Sequence, residues 1–232
     1  QLKISSGAQW VNSGNANVVV NNMDVVNDGN FAGTGSIKFT GNQNSTISGA
    51  SQPGFNILEI SKTNNAKIVL GRNIDVSYSI NFISGLLDLN NNNILLDPVA
   101  IVAGESENSR IIGSTGGFVE ITQNLNAPLG SNPGNLGATL TSNANLGSVI
   151  IRRGHVAQTG SGLNGSIQRY YVMIPQNNSG LNATLRFKYF DAELNGQNEN
   201  ILVAYQSNDN GTSWINLSQT NRNTNADYVE KS

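Results

Sequence analysis

The sequence predicts an all-β protein in which an N-terminal parallel β-solenoid is followed by an antiparallel β-sandwich. Short clusters of β-branched and aliphatic residues recur about every six to ten residues through the first half. Asn or Gly stands at most of the joints between them. The 3.6-residue apolar period that marks amphipathic helices is missing throughout.

The clusters of the first half predict strands that stack rather than form hairpins. Examples are residues 18–20, 67–70 and 94–96, each too short for an independent hairpin. Strands of this length suit a solenoid, in which each coil pairs with the previous coil and buries a continuous aliphatic column. Asn tolerates left-handed backbone at corners and can bond to Asn above and below. A loop-rich meander or sandwich is the alternative.

The second half has a different composition and a different predicted architecture. Nine of the 15 aromatic residues lie beyond residue 110. Strands are predicted over residues 148–152, 166–174, 183–190 and 201–205, with Asn-Gly turns between some of them. We therefore expect a β-solenoid region over residues 1–122 and a sandwich module over residues 123–232, with a loop-rich junction at 123–147.

Composition excludes several classes of function. Only 12% of residues are charged and the net charge is −2, which argues against a nucleic-acid partner. The 38% of apolar residues is enough for a core. Without Cys and with His155 as the single His, disulfide frameworks, thiolate zinc sites and multi-histidine metal sites are excluded.

The N-terminus and the overall composition give an expectation for location. The chain begins with Gln1 and enters strand-like sequence without a basic segment followed by an apolar stretch. It also has no apolar run near the ~20 residues of a transmembrane helix. We expect an extracellular protein, rich in Asn, Gly and Ser, whose targeting segments have been removed or lie outside the chain.

Several motifs resemble the repeat regions of large secreted and cell-surface proteins of Bacteroidota. The resemblance covers nearly the whole chain and rests on these segments: residues 33–41, 46–49, 55–60, 83–90, 132–137, 150–155 and 187–195. It implies β-helical stalks followed by β-sandwich modules, exported as type IX secretion cargo. The roles it implies are adhesion, surface or matrix structure, and contact with polysaccharides. No sorting domain follows Ser232, so we expect a portion of a longer precursor or a trimmed product.

Residues 207–214 resemble the Asp-box hairpin of sialidases and other secreted β proteins. The motif residues are Ser207, Asp209, Gly211 and Trp214, with Ser213 at the usual Thr position. Asp209 is expected to accept backbone N–H bonds across the hairpin, and Trp214 to close the turn onto the core. Hairpin scaffolding is the main interpretation and ligand contact the alternative.

Two further groups are candidates for ligand binding. Asp191, Glu193 and Asn195 partly match a calcium loop, although Leu202 occupies the position of the closing carboxylate. A different set of Ca²⁺ ligands that includes Glu199 is a second possibility. A polar turn is the alternative to Ca²⁺ binding there.

The other group is Arg152, Arg153 and His155, which end an apolar strand. They could bind an anion, such as the carboxylate of a uronate sugar. A solvated strand end is the alternative.

These observations predict a non-enzymatic extracellular structural or adhesive protein. Its partners would be surface proteins, glycans, the rest of a precursor or the export machinery. The alternative is a carbohydrate-binding or polysaccharide-degrading β-helix module. Catalysis would need acidic groups that converge in a cleft, and Asp75, Asp88 and Asp97, with Arg72, are the candidates in the first half.

Overall fold

A computed structural model describes all residues from Gln1 to Ser232, and the chain divides into two compact units, Gln1–Ile121 and Thr122–Ser232. The protein is all-β, and none of its elements is a helix able to cross a membrane. The strands of the first unit are β1 (Leu2–Ile4), β2 (Gln9–Asn12), β3 (Asn17–Asn21), β4 (Val25–Asn27), β5 (Asn30–Gly33), β6 (Ser36–Gly41), β7 (Ser45–Ser48), β8 (Gly54–Lys62), β9 (Lys67–Leu70), β10 (Ile74–Ser84), β11 (Leu86–Asp88), β12 (Ile94–Leu96), β13 (Ile101–Ala103), β14 (Ile111–Ile112) and the start of β15 (Phe118–Asn126).

The first unit is a parallel β-solenoid. One sheet has six strands in the order β1, β4, β7, β9, β11 and β14, and all five of its strand pairs are parallel. A second sheet runs through β3, β6, β8, β10, β12 and β15, again in parallel. Consecutive strands of a sheet belong to consecutive coils, so the chain winds through about six turns. The predicted solenoid is confirmed, and the meander alternative is wrong for this unit.

Aliphatic side chains stack in register inside the solenoid. Ile37 pairs with Leu58, Leu58 with Ile80, and Ile80 with Val102, at a spacing of about 22 residues in the sequence. All four are at most 3% exposed. Each fully buried side chain of this kind contributes about 1.5 to 3 kcal/mol relative to exposure. This single column of buried side chains therefore spans four coils and stabilises their stacking.

Asparagine forms the corners and caps the edges of neighbouring coils. All five non-glycine residues of this unit with positive φ are Asn. Most Asn side chains at the corners bond to backbone groups rather than to one another. Asn73 Oδ1 accepts from the backbone N–H of Asn93 at 2.8 Å, and Asn93 Oδ1 accepts from the backbone N–H of Phe118 at 3.1 Å. A side-chain pair of the expected ladder type joins Asn22 to Asn42 at 3.2 Å.

One lysine ammonium is buried in the solenoid and fully hydrogen-bonded. Lys62 is 1% exposed, and its Nζ donates to the carbonyls of Thr40 and Gln43 and to Ser45 Oγ at 2.7 to 2.9 Å. These three acceptors match its three N–H groups. Burial lowers the pKa of Lys62. On the next coil Gly85 is required, because a Cβ there would lie 2.5 Å from that of Lys62.

The second unit consists of small antiparallel sheets. Its strands are the end of β15, β16 (Ala138–Thr141), β17 (Asn145–Gly154), β18 (Tyr170–Pro175), β19 (Thr184–Lys188), β20 (Ala204–Gln206), β21 (Ile215–Ser218), β22 (Asn221–Asn223) and β23 (Tyr228–Lys231). Strands β17 and β18 pair, as do β20 and β21, and a four-stranded sheet has the order β16, β19, β23, β22. Short 3₁₀ turns lie at Pro133–Asn135, Asp191–Glu193 and Glu199–Ile201.

The predicted loop-rich junction at 123–147 contains more regular structure than expected. It holds the end of β15, all of β16 and the start of β17. The reason is a long-range partner: β16 pairs with β19, and Ala138 lies opposite Phe187. The predicted strand at 166–174 likewise begins only at Tyr170.

Strand β10 offers a matched test of the interior register, because Ile80 is buried and Ile83 is 57% exposed. We expect Ile80→Ala to lower the free energy of unfolding of the solenoid by about 2 to 5 kcal/mol through lost burial and a residual cavity. Ile83→Ala should cost less than about 1 kcal/mol. Urea unfolding followed by circular dichroism measures both, and equal losses would contradict the register.

Leu87→Asp and Ile94→Asp, at two other fully buried positions, should unfold the unit.

Candidate functional site

A cluster of charged and titratable side chains in the second unit surrounds one buried carboxylate, that of Glu193. It is 1% exposed, and its oxygens receive a two-point contact from Arg169: Nη2 lies 3.0 Å from Oε1 and Nε 2.7 Å from Oε2. His155 Nδ1 lies 3.0 Å from Oε1, and the Phe190 amide donates to Oε2 at 3.1 Å. The backbone that places these groups is the end of β17, the residue before β18 and the Asp191–Glu193 turn.

The charges of this cluster fix the protonation of its members. Burial lowers the pKa of His155, and the charges of Arg153 and Arg169 act in the same direction. Burial alone would raise the pKa of Glu193, but the hydrogen bond from His155 and the charge of Arg169 outweigh it and hold that pKa below its usual range. Since an ionised carboxylate only accepts, the neutral imidazole carries its proton on Nδ1.

Two of the three residues predicted to contact an anion, Arg153 and His155, are buried rather than exposed at a strand end. Arg153 is fully buried and donates to the Leu136 carbonyl at 3.2 Å, and His155 is 2% exposed. The alternative of a solvated strand end therefore does not hold for these two residues. Arg152, half-buried, lies opposite Val172 in the β17–β18 pair.

The predicted calcium ligands separate into two groups. Glu193 is engaged by His155 and Arg169, and the Asn195 amide donates to the Ser166 carbonyl at 3.1 Å. Asp191 and Glu199 come together with Asp227, and their carboxylate oxygens lie within 4.8 Å of one another.

These three carboxylates are the residues that could hold a cation, and Ca²⁺ binding stays a prediction. Glu199 also accepts from the Tyr189 hydroxyl at 2.9 Å. Burial raises the pKa of that phenol.

The Asp-box-like segment connects β20 and β21. Asp209 Oδ1 accepts from the Ser213 amide at 2.9 Å, and Oδ2 accepts from the Ser213 hydroxyl at 2.6 Å. Ser207 Oγ accepts from the Gly211 amide at 2.8 Å, and Gly211 takes a φ of 86°. The indole N–H of Trp214 donates to the carbonyls of Gly211 and Thr159. The hydrogen bonds from Ser213 lower the pKa of Asp209 to about 2.

A cleft of about 420 Å³ lies within the second unit. We call it the aromatic cleft, after the rings of Tyr170, Tyr205 and Trp214 in its lining. Tyr171 and Phe187 also line it and stack on each other with ring centroids 5.3 Å apart.

Sequence reasoning missed the cleft, Arg169 and Asp227. The enrichment of aromatic residues in the second half was the one sequence feature that pointed to the cleft, and it does not show which of the rings share a surface.

Asp75 and Asp88, two of the acidic candidates of the solenoid, do not converge. Asp75 lies on β10 of one sheet and accepts from Gln52 Nε2 at 2.7 Å. Asp88 lies on β11 of the other sheet and pairs with Lys67 at 2.5 Å. Arg72 donates to the Gly49 carbonyl at 3.0 Å.

No protein-family model, curated protein or solved structure matches this chain.

The buried cluster predicts an acid-sensitive second unit. His155 binds a proton in the unfolded chain near its ordinary pKa of 6.5 but resists protonation when folded. The unfolded state then binds more protons, so the free energy of unfolding should fall as pH drops from about 6.5 to 5, by at most about 1.4 kcal/mol per pH unit. Denaturant titrations at pH 7, 6 and 5 measure it. His155→Gln should remove this slope, and greater stability of the wild type at pH 5 than at pH 7 would contradict the prediction.

The hairpin of residues 207–214 predicts a second, more acidic transition. Because the pKa of Asp209 is depressed from 3.8, its stabilising effect is complete above about pH 4 and is lost as pH falls towards 2. Amide hydrogen exchange of Ser213, relative to its rate in an unstructured peptide, should accelerate over that range. Asp209→Asn should give the faster exchange already at pH 6. Protection that is unchanged in both experiments would show that Asp209 does not hold the turn.

Proposed function

We propose that the protein is a non-enzymatic structural or adhesive protein of the bacterial cell surface or secreted matrix. Its partners would be other surface proteins or glycans, the rest of a longer precursor, or the export machinery. The observation that carries the proposal is the parallel solenoid of about six coils with a continuous column of buried aliphatic side chains. The resemblance to secreted proteins of Bacteroidota supports the location and the type IX route.

The solenoid suits a structural role because its stability is distributed along the coils. Each coil pairs only with its neighbours, so stability accumulates from intrinsic and nearest-neighbour terms. The interior columns exclude water. At outward-facing positions, polar residues such as Lys38, Glu59 and Asn81 lie beside one another on neighbouring coils. Such a surface offers hydrogen bonds to partners without a strong electrostatic field.

We infer that the second unit is a compact sandwich-type module. Its four-stranded antiparallel sheet and the β17–β18 and β20–β21 pairs support this assignment. The Asp-box-like turn then acts as a scaffold for the β20–β21 hairpin, since its polar groups bond mainly to one another.

The competing proposal of a polysaccharide-degrading enzyme has less support. Glycoside hydrolysis needs two carboxyl groups roughly 5 to 10 Å apart that flank the scissile bond of the sugar chain. Asp75 and Asp88 lie on different sheets, and Asp88 is engaged by Lys67. Glu193 is closed in by His155 and Arg169.

Location in a Bacteroidota host tests the proposal directly. A tagged copy of the full reading frame should be digested by protease added to intact cells, and it should lose that accessibility in a strain without the type IX translocon. A cytoplasmic protein of the same host is the control. Retention of the tagged protein in the cytoplasm of wild-type cells would overturn the proposal.

The non-enzymatic part has a separate test. Purified protein incubated with pectin and polygalacturonate should release neither reducing ends nor unsaturated products, compared with a commercial lyase as the positive control. Product formation that disappears in an Asp75→Asn or Asp97→Asn variant with an unchanged circular dichroism spectrum would establish the enzyme alternative instead.

A further inference from the structure

The aromatic cleft has the dimensions and the lining of a small-molecule site. Its volume of about 420 Å³ falls in the roughly 300 to 1,000 Å³ range typical of such sites. Tyr170, Tyr205 and Trp214 supply ring surface, and Ile201 contributes an aliphatic side chain that is 69% exposed. An exposed isoleucine beside three aromatic rings is apolar surface that a ligand can cover.

Two carboxamides in the lining make no hydrogen bond within the protein. They belong to Asn164, which is exposed, and Gln197, which is half-buried. Each carboxamide offers two donors and one acceptor. A third, that of Gln158, lines the cleft while its Nε2 donates to the Val156 carbonyl at 2.8 Å. Carboxamides of this kind match neighbouring hydroxyl groups, which also donate and accept.

The charge of the lining is low. No Asp or Glu lines the cleft, and its two cationic residues are Arg169 and Lys188. The guanidinium of Arg169 is neutralised by Glu193 through the two-point contact. An ionic ligand would therefore meet one uncompensated charge, whereas an uncharged polyhydroxylated ligand would meet aromatic surface and carboxamides.

We propose that the aromatic cleft binds a neutral pyranose ring of a glycan. The apolar C–H face of the sugar packs on the aromatic rings, and its hydroxyl groups bond to the carboxamides of Asn164 and Gln197. The inference deepens the proposed adhesive function and rests on it for its biological setting. It assigns a ligand class and a place of contact that the adhesive function alone does not specify.

Two lining features fix the geometry of this site. Trp214 is held at its indole N–H by the Gly211 and Thr159 carbonyls, so the hairpin presents its ring in one orientation. Tyr205 lies on β20, the partner strand of that hairpin, and its hydroxyl accepts from Asn216 at 3.3 Å. A ring fixed before binding loses little conformational entropy when the sugar packs on it.

The full chain should be screened on an array of neutral and uronate-containing oligosaccharides, with an extended proline-rich peptide as a separate probe. We expect binding of one or more neutral oligosaccharides, quantified by isothermal titration calorimetry. Asn164→Ala and Gln197→Ala should each weaken it about fivefold through one lost hydrogen bond. Tyr205→Leu, which retains apolar bulk, should weaken it at least tenfold.

Asn225→Ala is the matched control, because Asn225 is exposed, lies outside the cleft and belongs to the same unit. It should leave the affinity unchanged. Asn164 makes no internal hydrogen bond, so its variant should keep the wild-type circular dichroism spectrum and melting temperature. That variant alone is enough to decide the inference if Tyr205→Leu perturbs folding.

Three outcomes would overturn the inference: no glycan bound by the wild type, binding only to uronates or to the peptide, or glycan binding that Asn164→Ala, Gln197→Ala and Tyr205→Leu leave unchanged. Its failure is distinguishable from failure of the proposed function. Surface accessibility in cells can hold without any glycan bound in the cleft, and glycan binding in vitro can hold for a protein that stays in the cytoplasm.

Discussion

The parallel stacking of successive coils is the constraint on which the solenoid depends. Strand-to-strand hydrogen bonds hold neighbouring coils about 4.8 Å apart, so each coil must repeat the inward positions of the coil beneath it. The register from Ile37 through Leu58 and Ile80 to Val102 shows this repetition. A one-residue slip would turn an aliphatic column outwards, which makes the register strongly specified.

A polar side chain in the aliphatic interior depends on residues of the neighbouring coils that bond to it and leave room for it. Lys62 enters the interior because the coil beneath supplies the acceptors for its ammonium group, at Thr40, Gln43 and Ser45. The coil above leaves room for it with Gly85. A buried charge is tolerated when its hydrogen bonds are satisfied, and removal of one partner would leave it uncompensated.

The second unit is organised differently, around polar contacts within a smaller core. Glu193 joins the end of β17 to the residue before β18 through His155 and Arg169. Tyr171 adds hydroxyl bonds to the Leu136 and Lys188 carbonyls. The rings of Tyr170, Tyr205 and Trp214 are only partly covered, which leaves the aromatic cleft available to a ligand.

The sequence by itself determined the all-β class, the parallel solenoid and the role of Asn at left-handed corners, because these follow from local spacing and backbone preference. Tertiary structure alone decided which distant groups meet. The Glu193 carboxylate lies 38 positions from His155 and 24 from Arg169, and no local period encodes those separations. Asp227 joins Asp191 and Glu199 in the same way. Antiparallel pairing between distant strands sets these contacts, and it depends on the packing of the whole unit.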